Sequence, residues 1–229
     1  MDAKIIVALD YSDVSSVKKI LSKLSPELCK LKVGKELFTA AGPAIVEMLV
    51  EQGYSVFLDL KYHDIPNTVA KSCAVAKELG VWMLNVHALG GQRMMQAARE
   101  ALGDASDRPS LIAVTILTSM DNADVAGIGL SGSAAKNAVN LAKLAIDSNL
   151  DGVVCSAQES SEMRQVLGDR VLLVTPGIRL TQETTDDQRR IMTPVDAMNA
   201  GSSYLVMGRP ITGSDDPAKV LLDLNQQLP

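Results

Sequence analysis

Eight short apolar runs, each followed by a helix-prone segment, set the strongest constraint on how this chain can fold. Residues 5–9 are apolar and stop at Asp10, and a helix is predicted from near Val14 behind the capping candidates Ser12 and Asp13. The same unit recurs, with strands predicted over 28–33, 56–60, 81–86, 111–117, 152–155, 170–174 and 204–207. Helix starts are marked after Gly42-Pro43, after Pro66 with Asn67 as cap, after Gly90-Gly91, at the capping-box spacing of Ser156 and Glu159, at Thr193-Pro194, and near Pro217. Strands rich in Val, Ile and Leu, with helices between them, predict a parallel sheet covered on both faces. Eight such units fit a (β/α)8 TIM barrel of the α/β class, a single domain across residues 1–229. A doubly wound open sheet is the alternative, because periodicity alone does not show that a sheet closes.

The alternation also says where polar residues collect. In a barrel the C-terminal strand ends converge on one face, where the βα loops build the site. Asp10, Lys32, Asp59, Lys61, His87, Thr118, Arg179 and Arg209 all fall at or just past such ends, and a shared site accounts for that better than chance. The densest group is Asp59-Leu60-Lys61-Tyr62-His63-Asp64, which closes the apolar run Val56-Phe57-Leu58 and places three charges within six residues. Alternate residues of a strand share a face, so Asp59 and Lys61 are predicted to project together, with Asp64 on the loop that follows. Burying such charges costs on the order of several kcal/mol unless they pair. They form either an ion-pair array that pins a loop or an acid–base centre.

Pro176-Gly177-Ile178-Arg179 and Gly208-Arg209 follow the seventh and eighth predicted strands. Those two loops commonly cradle a phosphate in this architecture, with backbone N–H groups and a guanidinium as donors. Either arginine alone reads as a surface ion pair; together they predict a phosphate clamp. Residues 180–190 are polar and long for a connection, which suits a lid or a solvated loop. The G-x-G-x-x-G of Gly127, Gly129 and Gly132 does not turn directly from a strand into a helix, so a dinucleotide site is rejected. His63 and His87 are the only histidines, and no cysteine or second histidine is spaced with either for zinc. Asp10, Asp59 and Asp64 are the acids that would hold Mg²⁺, but Lys32 and Lys61 among them supply the positive charge a cation would bring, so no metal is expected. Met94-Met95 reads as packing.

Composition narrows the partners. A net charge of −5 and a pI near 5.1 argue against a nucleic-acid polymer, while leaving room for a small anion at a local basic site. Hydrophobic residues make up 47% of the chain and aromatics only 3%, which suits a core of aliphatic strands. The cysteines, Cys29, Cys73 and Cys155, are odd in number and lie in apolar contexts, so free buried thiols are expected and with them the cytosol. No apolar run approaches the roughly 18 residues needed to span a bilayer. The N-terminus runs into a strand without signal-like features, so a cytoplasmic location with no membrane partner is expected.

Asp59-Leu60-Lys61-Tyr62-His63-Asp64-Ile65-Pro66-Asn67-Thr68, with Val7-Ala8-Leu9-Asp10, Lys32-Val33-Gly34-Lys35, Val174-Thr175-Pro176-Gly177-Ile178-Arg179 and Gly208-Arg209-Pro210, resembles the orotidine 5′-phosphate decarboxylase family in its compact bacterial type. The resemblance runs from about residue 4 to the last helix. It implies loss of CO2 from orotidine 5′-monophosphate to give UMP, the last step of de novo pyrimidine synthesis, with neither cofactor nor metal. It also implies that Lys61 is the proton donor and that Asp59 and Asp64 complete the charged array. Asp64, Ile65 and Thr68 would reach the neighbouring subunit's site in a homodimer. Asp10 and Lys32 match ribose-contacting positions, Thr118 approaches the base, and Gln188 sits on the lid. Arg179, Gly208 and Arg209 match the phosphate site.

Two alternatives stay open. Sugar-phosphate decarboxylases related to 3-keto-gulonate 6-phosphate decarboxylase share the D-x-K-x-x-D element but use Mg²⁺, and they carry a Glu at the end of the second strand where this chain has Lys32. The other alternative is a catalytically silent nucleotide-binding barrel, against which the full set of Asp59, Lys61 and Asp64 argues.

Overall fold

A computed structural model describes residues 3–180 and 192–229. Its strands are β1 (Ile5–Ala8), β2 (Lys30–Gly34), β3 (Val56–Tyr62), β4 (Met83–His87), β5 (Ser110–Val114), β6 (Gly152–Val154), β7 (Leu172–Thr175) and β8 (Tyr204–Met207). All neighbours are parallel and run in sequence order, and β8 pairs back onto β1, so the sheet closes as a (β/α)8 barrel. Around it lie α1 (Val14–Leu21), α2 (Lys35–Ala41), α3 (Ala44–Glu51), α4 (Pro66–Glu78), α5 (Gln92–Leu102), α6 (Asn122–Gly127), α7 (Ala134–Asp147), α8 (Ser160–Leu167), α9 (Pro194–Asn199), α10 (Arg209–Thr212) and α11 (Pro217–Gln227). Among the described residues no helix is long and apolar enough to cross a membrane.

Local chemistry sets the boundaries. Asp13 accepts the Ser16 N–H and opens α1, and Thr193 does the same for Asp196 ahead of Pro194. Ser156 and Glu159 form the expected capping box, which first closes a 3-10 turn over Ala157–Glu159 and then leads into α8. The cap of α4 is Ile65 and not Asn67: Pro66 disfavours helical backbone in the residue before it, so Ile65 stays extended and Asn67 falls inside the first turn. Helix α2 follows β2 directly and was not expected, because Gly34 at its start offers no side-chain cap. The fifth strand ends at Val114, three residues short of the expected limit; the Thr115 hydroxyl turns to the Val154 carbonyl. Gly127 ends α6, and Gly129 and Gly132 lie in the link to α7, consistent with rejecting a dinucleotide turn there.

Two apolar layers hold the barrel. Ile6, Phe57, Met83, Ile112 and Val174 fill its lumen, while a larger cluster, including Val7, Leu31, Leu58, Leu84 and Leu205, faces the helices. Each fully buried Leu or Ile contributes about 1.5–3 kcal/mol. At the N-terminal strand ends Trp82 meets Tyr204 edge to face at 5.0 Å, and Lys30 Nζ sits 4.6 Å from the Trp82 ring centroid, closing the lower end of the lumen. Arg108 grips Asp151 through two 2.7 Å bonds, and Asp151 also accepts the Leu111 N–H, which pins the start of β5 to the segment entering β6. Cys29, Cys73 and Cys155 are buried and unbonded to one another. Burial pushes the Cys29 and Cys73 thiols up to about 12.

Candidate active site

Strand β3 builds the centre of the site by departing from regular pairing. Phe57 and Leu58 pair with Met83 and Leu84, and pairing resumes at Tyr62 with Val86, so β3 advances four residues where β4 advances two. The slack is a bulge, and within it Lys61 takes a left-handed backbone with φ 53°. Asp59 and Lys61 converge as expected, but through this bulge and not by even strand alternation. The Lys61 ammonium lies 2.5 Å from Asp59 Oδ1.

The charges continue along the barrel mouth. Lys32 Nζ stands 3.6 Å from Asp59 Oδ2 and 3.2 Å from Asp10 Oδ1. Side-chain exposure rises from 10% at Lys32 and 13% at Asp59 to 27% at Lys61 and 64% at Asp10. Burial on that scale demands the pairing that is seen, since a lone desolvated charge is costly. Among the described residues, then, Asp59 lies between two ammonium groups, and Asp59 is the carboxylate that Lys61 meets. A Cβ at Gly34 would sit 3.0 Å from Lys32 Nζ, so glycine there leaves the ammonium its place.

Lys32, Asp59, Lys61, Thr118 and Pro176 line a cavity of about 340 Å³ whose remaining wall is mostly aliphatic. It is contiguous, through Lys32, Pro176 and Val206, with a second of about 230 Å³ bounded by Asp10, Gly177, Arg179, Gly208 and Arg209. Eight of the expected residues therefore share one mouth: Asp10, Lys32, Asp59, Lys61, Thr118, Arg179, Gly208 and Arg209. Chemically, one end can bind an anion with guanidinium groups, and the other offers an ammonium beside a largely apolar wall. A larger cavity of about 450 Å³ beside it shares Thr118, but of its three acids Asp121 and Glu159 are engaged as caps, Glu162 stands beside them, and among the described residues no lysine or arginine lines it.

Asp64, Ile65 and Thr68 do not join that mouth. All three are exposed; Asp64 accepts the Ile65 N–H at 2.6 Å, and both line a separate open hollow of about 550 Å³ with His63 and Arg93. Gln188 lies outside the described residues, as does most of the expected lid.

Sequence reasoning missed Asn85, and His87, expected at the shared site by its strand-end position, lines neither cavity of the mouth. Asn85 is fully buried; its Nδ2 donates to Asp59 Oδ1 at 2.7 Å, and its Oδ1 accepts the Lys61 N–H at 2.8 Å. The available signal was a polar residue on the same alternation as lumen-facing Met83. His63 stacks on His87 with ring centroids 5.5 Å apart, and His87 Nδ1 accepts the Leu89 N–H. Burial, then the neighbouring His63, Lys35 and Lys61, push His87 down to about 4.

Comparison with known proteins shows the family and agrees with the fold. The model of the orotidine 5′-phosphate decarboxylase / HUMPS family matches residues 3–224. Orotidine 5′-phosphate decarboxylase of Hydrogenovibrio crunogenus is 57% identical over 227 residues, covering 99% of this chain and 96% of that one. The Photobacterium profundum enzyme of the same name is 55% identical over 229 residues, covering 100% and 99%. The crystal structure of orotidine 5′-phosphate decarboxylase from Lactobacillus acidophilus superposes with a TM-score of 0.87 at 40% identity, covering 99% of each chain.

Proposed function

This chain belongs to the orotidine 5′-phosphate decarboxylase / HUMPS family, and on that premise we infer that it releases CO2 from orotidine 5′-monophosphate to leave UMP, the last step of UMP biosynthesis. The observation that carries the reading is the 2.5 Å Asp59–Lys61 pair opening on a cavity that runs on to Arg179 and Arg209.

The chemistry asks for that arrangement. When the bond to the carboxylate breaks, its electron pair stays on the pyrimidine carbon, in the ring plane, where the π system cannot delocalise it. A fixed positive charge must stabilise it from outside, and a proton must then reach the same carbon. Lys61 supplies both, with Asp59 holding its ammonium in place. Lys32 and Asp10 face the ribose, Thr118 faces the base, and Arg179, Gly208 and Arg209 take the phosphate. Binding energy from that remote phosphate positions the reacting carbon.

Asp64, Ile65 and Thr68 serve a partner subunit's mouth in a homodimer. Their exposure, 66% for Ile65, supports that role, since a solvated isoleucine beside an open hollow lined by Asp64 and Arg93 fits burial by a second copy. Free buried cysteines suit a reducing compartment, which supports the cytoplasm. Lys32 at the mouth of β2, paired with Asp10 and Asp59, argues against a magnesium-dependent sugar-phosphate reaction.

The test is ultraviolet observation of orotidine 5′-monophosphate with purified protein, with and without EDTA. Conversion to UMP that EDTA leaves unchanged is expected; loss of conversion on chelation would overturn the metal-independent reaction.

A further inference from the structure

Asn85 sits opposite the β3 bulge, at the one place where regular pairing with β4 lapses. Its two amide functions are both committed. The NH2 donates to Asp59 Oδ1 at 2.7 Å, and the carbonyl accepts the Lys61 N–H at 2.8 Å, so the orientation of the amide is fixed by its partners. An amide offers a donor and an acceptor on one planar group without a charge at neutral pH, which a carboxyl of the same size does only when protonated. Without it the Lys61 N–H would lose its partner, and a left-handed non-glycine backbone costs about 1 kcal/mol or more unless its surroundings enforce it.

We propose that Asn85 is a positioning residue for the decarboxylation: it holds the Lys61 bulge and the Asp59 carboxylate in one register, so that the ammonium and the carboxylate stay aimed at the same reacting carbon. Asn85 touches no substrate in this role. It works through a side chain on one hand and a backbone N–H on the other, and the inference rests on the reaction assigned above. The titratable groups around it are Asp59 and Lys61 on β3, Lys32 on β2 reached through Asp59, and the stacked His63 and His87. Strand β5 pairs with Asn85 through Ile112 and has no charged residue.

The test compares wild type, Asn85→Leu and Asn85→Asp in CO2 release from orotidine 5′-monophosphate, with kcat and KM separated. Asn85→Leu removes both bonds without burying a charge; kcat should fall about 100-fold while KM stays within about threefold, because misaimed catalytic groups impair the reaction more than binding. Asn85→Asp keeps the acceptor but, when ionised, loses the donor. A protonated carboxyl again offers one donor and one acceptor, and its site beside Asp59 favours that form. The ratio of Asn85→Asp to wild-type kcat should therefore rise about tenfold between pH 8 and pH 5.5, a recovery that a purely structural role would not produce. Variants whose kcat stays within about threefold of wild type, or a pH-independent ratio, would overturn the proposal. Should Asn85→Asp not fold, the kcat-against-KM split of Asn85→Leu decides. Hydrogen exchange at the Lys61 amide of the wild type decides independently: protection is expected, and free exchange would overturn it. An active wild type with unaffected variants sinks only the role of Asn85, whereas a wild type that releases no CO2 sinks the assigned reaction and this inference with it.

Discussion

Lys61 Nζ meets Asp59 Oδ1 at 2.5 Å across a backbone bulge, and the same carboxylate turns its other oxygen toward Lys32. The pair is thus set by tertiary structure. Asp59 is a shared counter-ion, and removing either ammonium changes the charge balance at the other.

On the proposed mechanism Lys61→Ala takes away both the stabilising charge and the proton. Turnover of orotidine 5′-monophosphate is expected to drop by more than about 10⁴-fold. UMP binding measured by calorimetry should survive, because Arg179 and Arg209 border the adjoining cavity and not the Lys61 end. Turnover within about tenfold of wild type would end the assignment of Lys61.

Arg209→Ala removes a guanidinium from the cavity end proposed to take the phosphate. KM for orotidine 5′-monophosphate is expected to rise about 10–100-fold, in line with about 1.5–3 kcal/mol for a hydrogen bond to a charged group. The nucleoside lacking phosphate should be processed equally by variant and wild type. Equal losses for the two substrates would count against the clamp.

Asp151→Ala strands a partly buried guanidinium, Arg108, and the Leu111 N–H together. A loss of about 2–4 kcal/mol in urea unfolding is expected, with kcat unchanged, since none of these groups lines the mouth. A loss below about 0.5 kcal/mol would show that water replaces the carboxylate without cost.

His87 is lowered from 6.5 to about 4, chiefly by burial. An unfolded chain therefore takes up a proton at this histidine before the folded one does. The resulting penalty is absent above pH 6.5 and grows as pH falls toward 4, so wild type should lose stability on acidification more steeply than His87→Gln, by at most about 1.4 kcal/mol per pH unit. Parallel urea-midpoint curves for the two proteins between pH 7 and pH 4.5 would refute the neutral, buried state of His87.

The barrel was legible because most of its strands are largely buried on both faces and so read as aliphatic runs, and because Gly, Pro, Ser and Asp mark the helix starts. The polar mouth was legible for the same reason: Asp10, Lys32, Asp59 and Lys61 interrupt those runs at their ends. What could not be read depends on contacts distant in sequence. The left-handed turn at Lys61 follows from how β3 lies against β4, and Asn85 gains its meaning from Asp59, 26 residues earlier. Asp64, Ile65 and Thr68 face away from their own chain's mouth, so a single chain leaves them without the setting the motif implies.

Among the described residues the filled lumen and the Trp82–Tyr204 stopper beneath it close the barrel's lower end, and the cavities lie at its upper one. On the proposed reaction carbon dioxide forms beside Lys61, above the packed layer of Phe57 and Ile112, and the mouth is then the route for gas and nucleotide alike. A nucleotide whose phosphate stays gripped would hold that doorway narrow, and the order in which the two products leave becomes a property of the barrel's floor as much as of its rim.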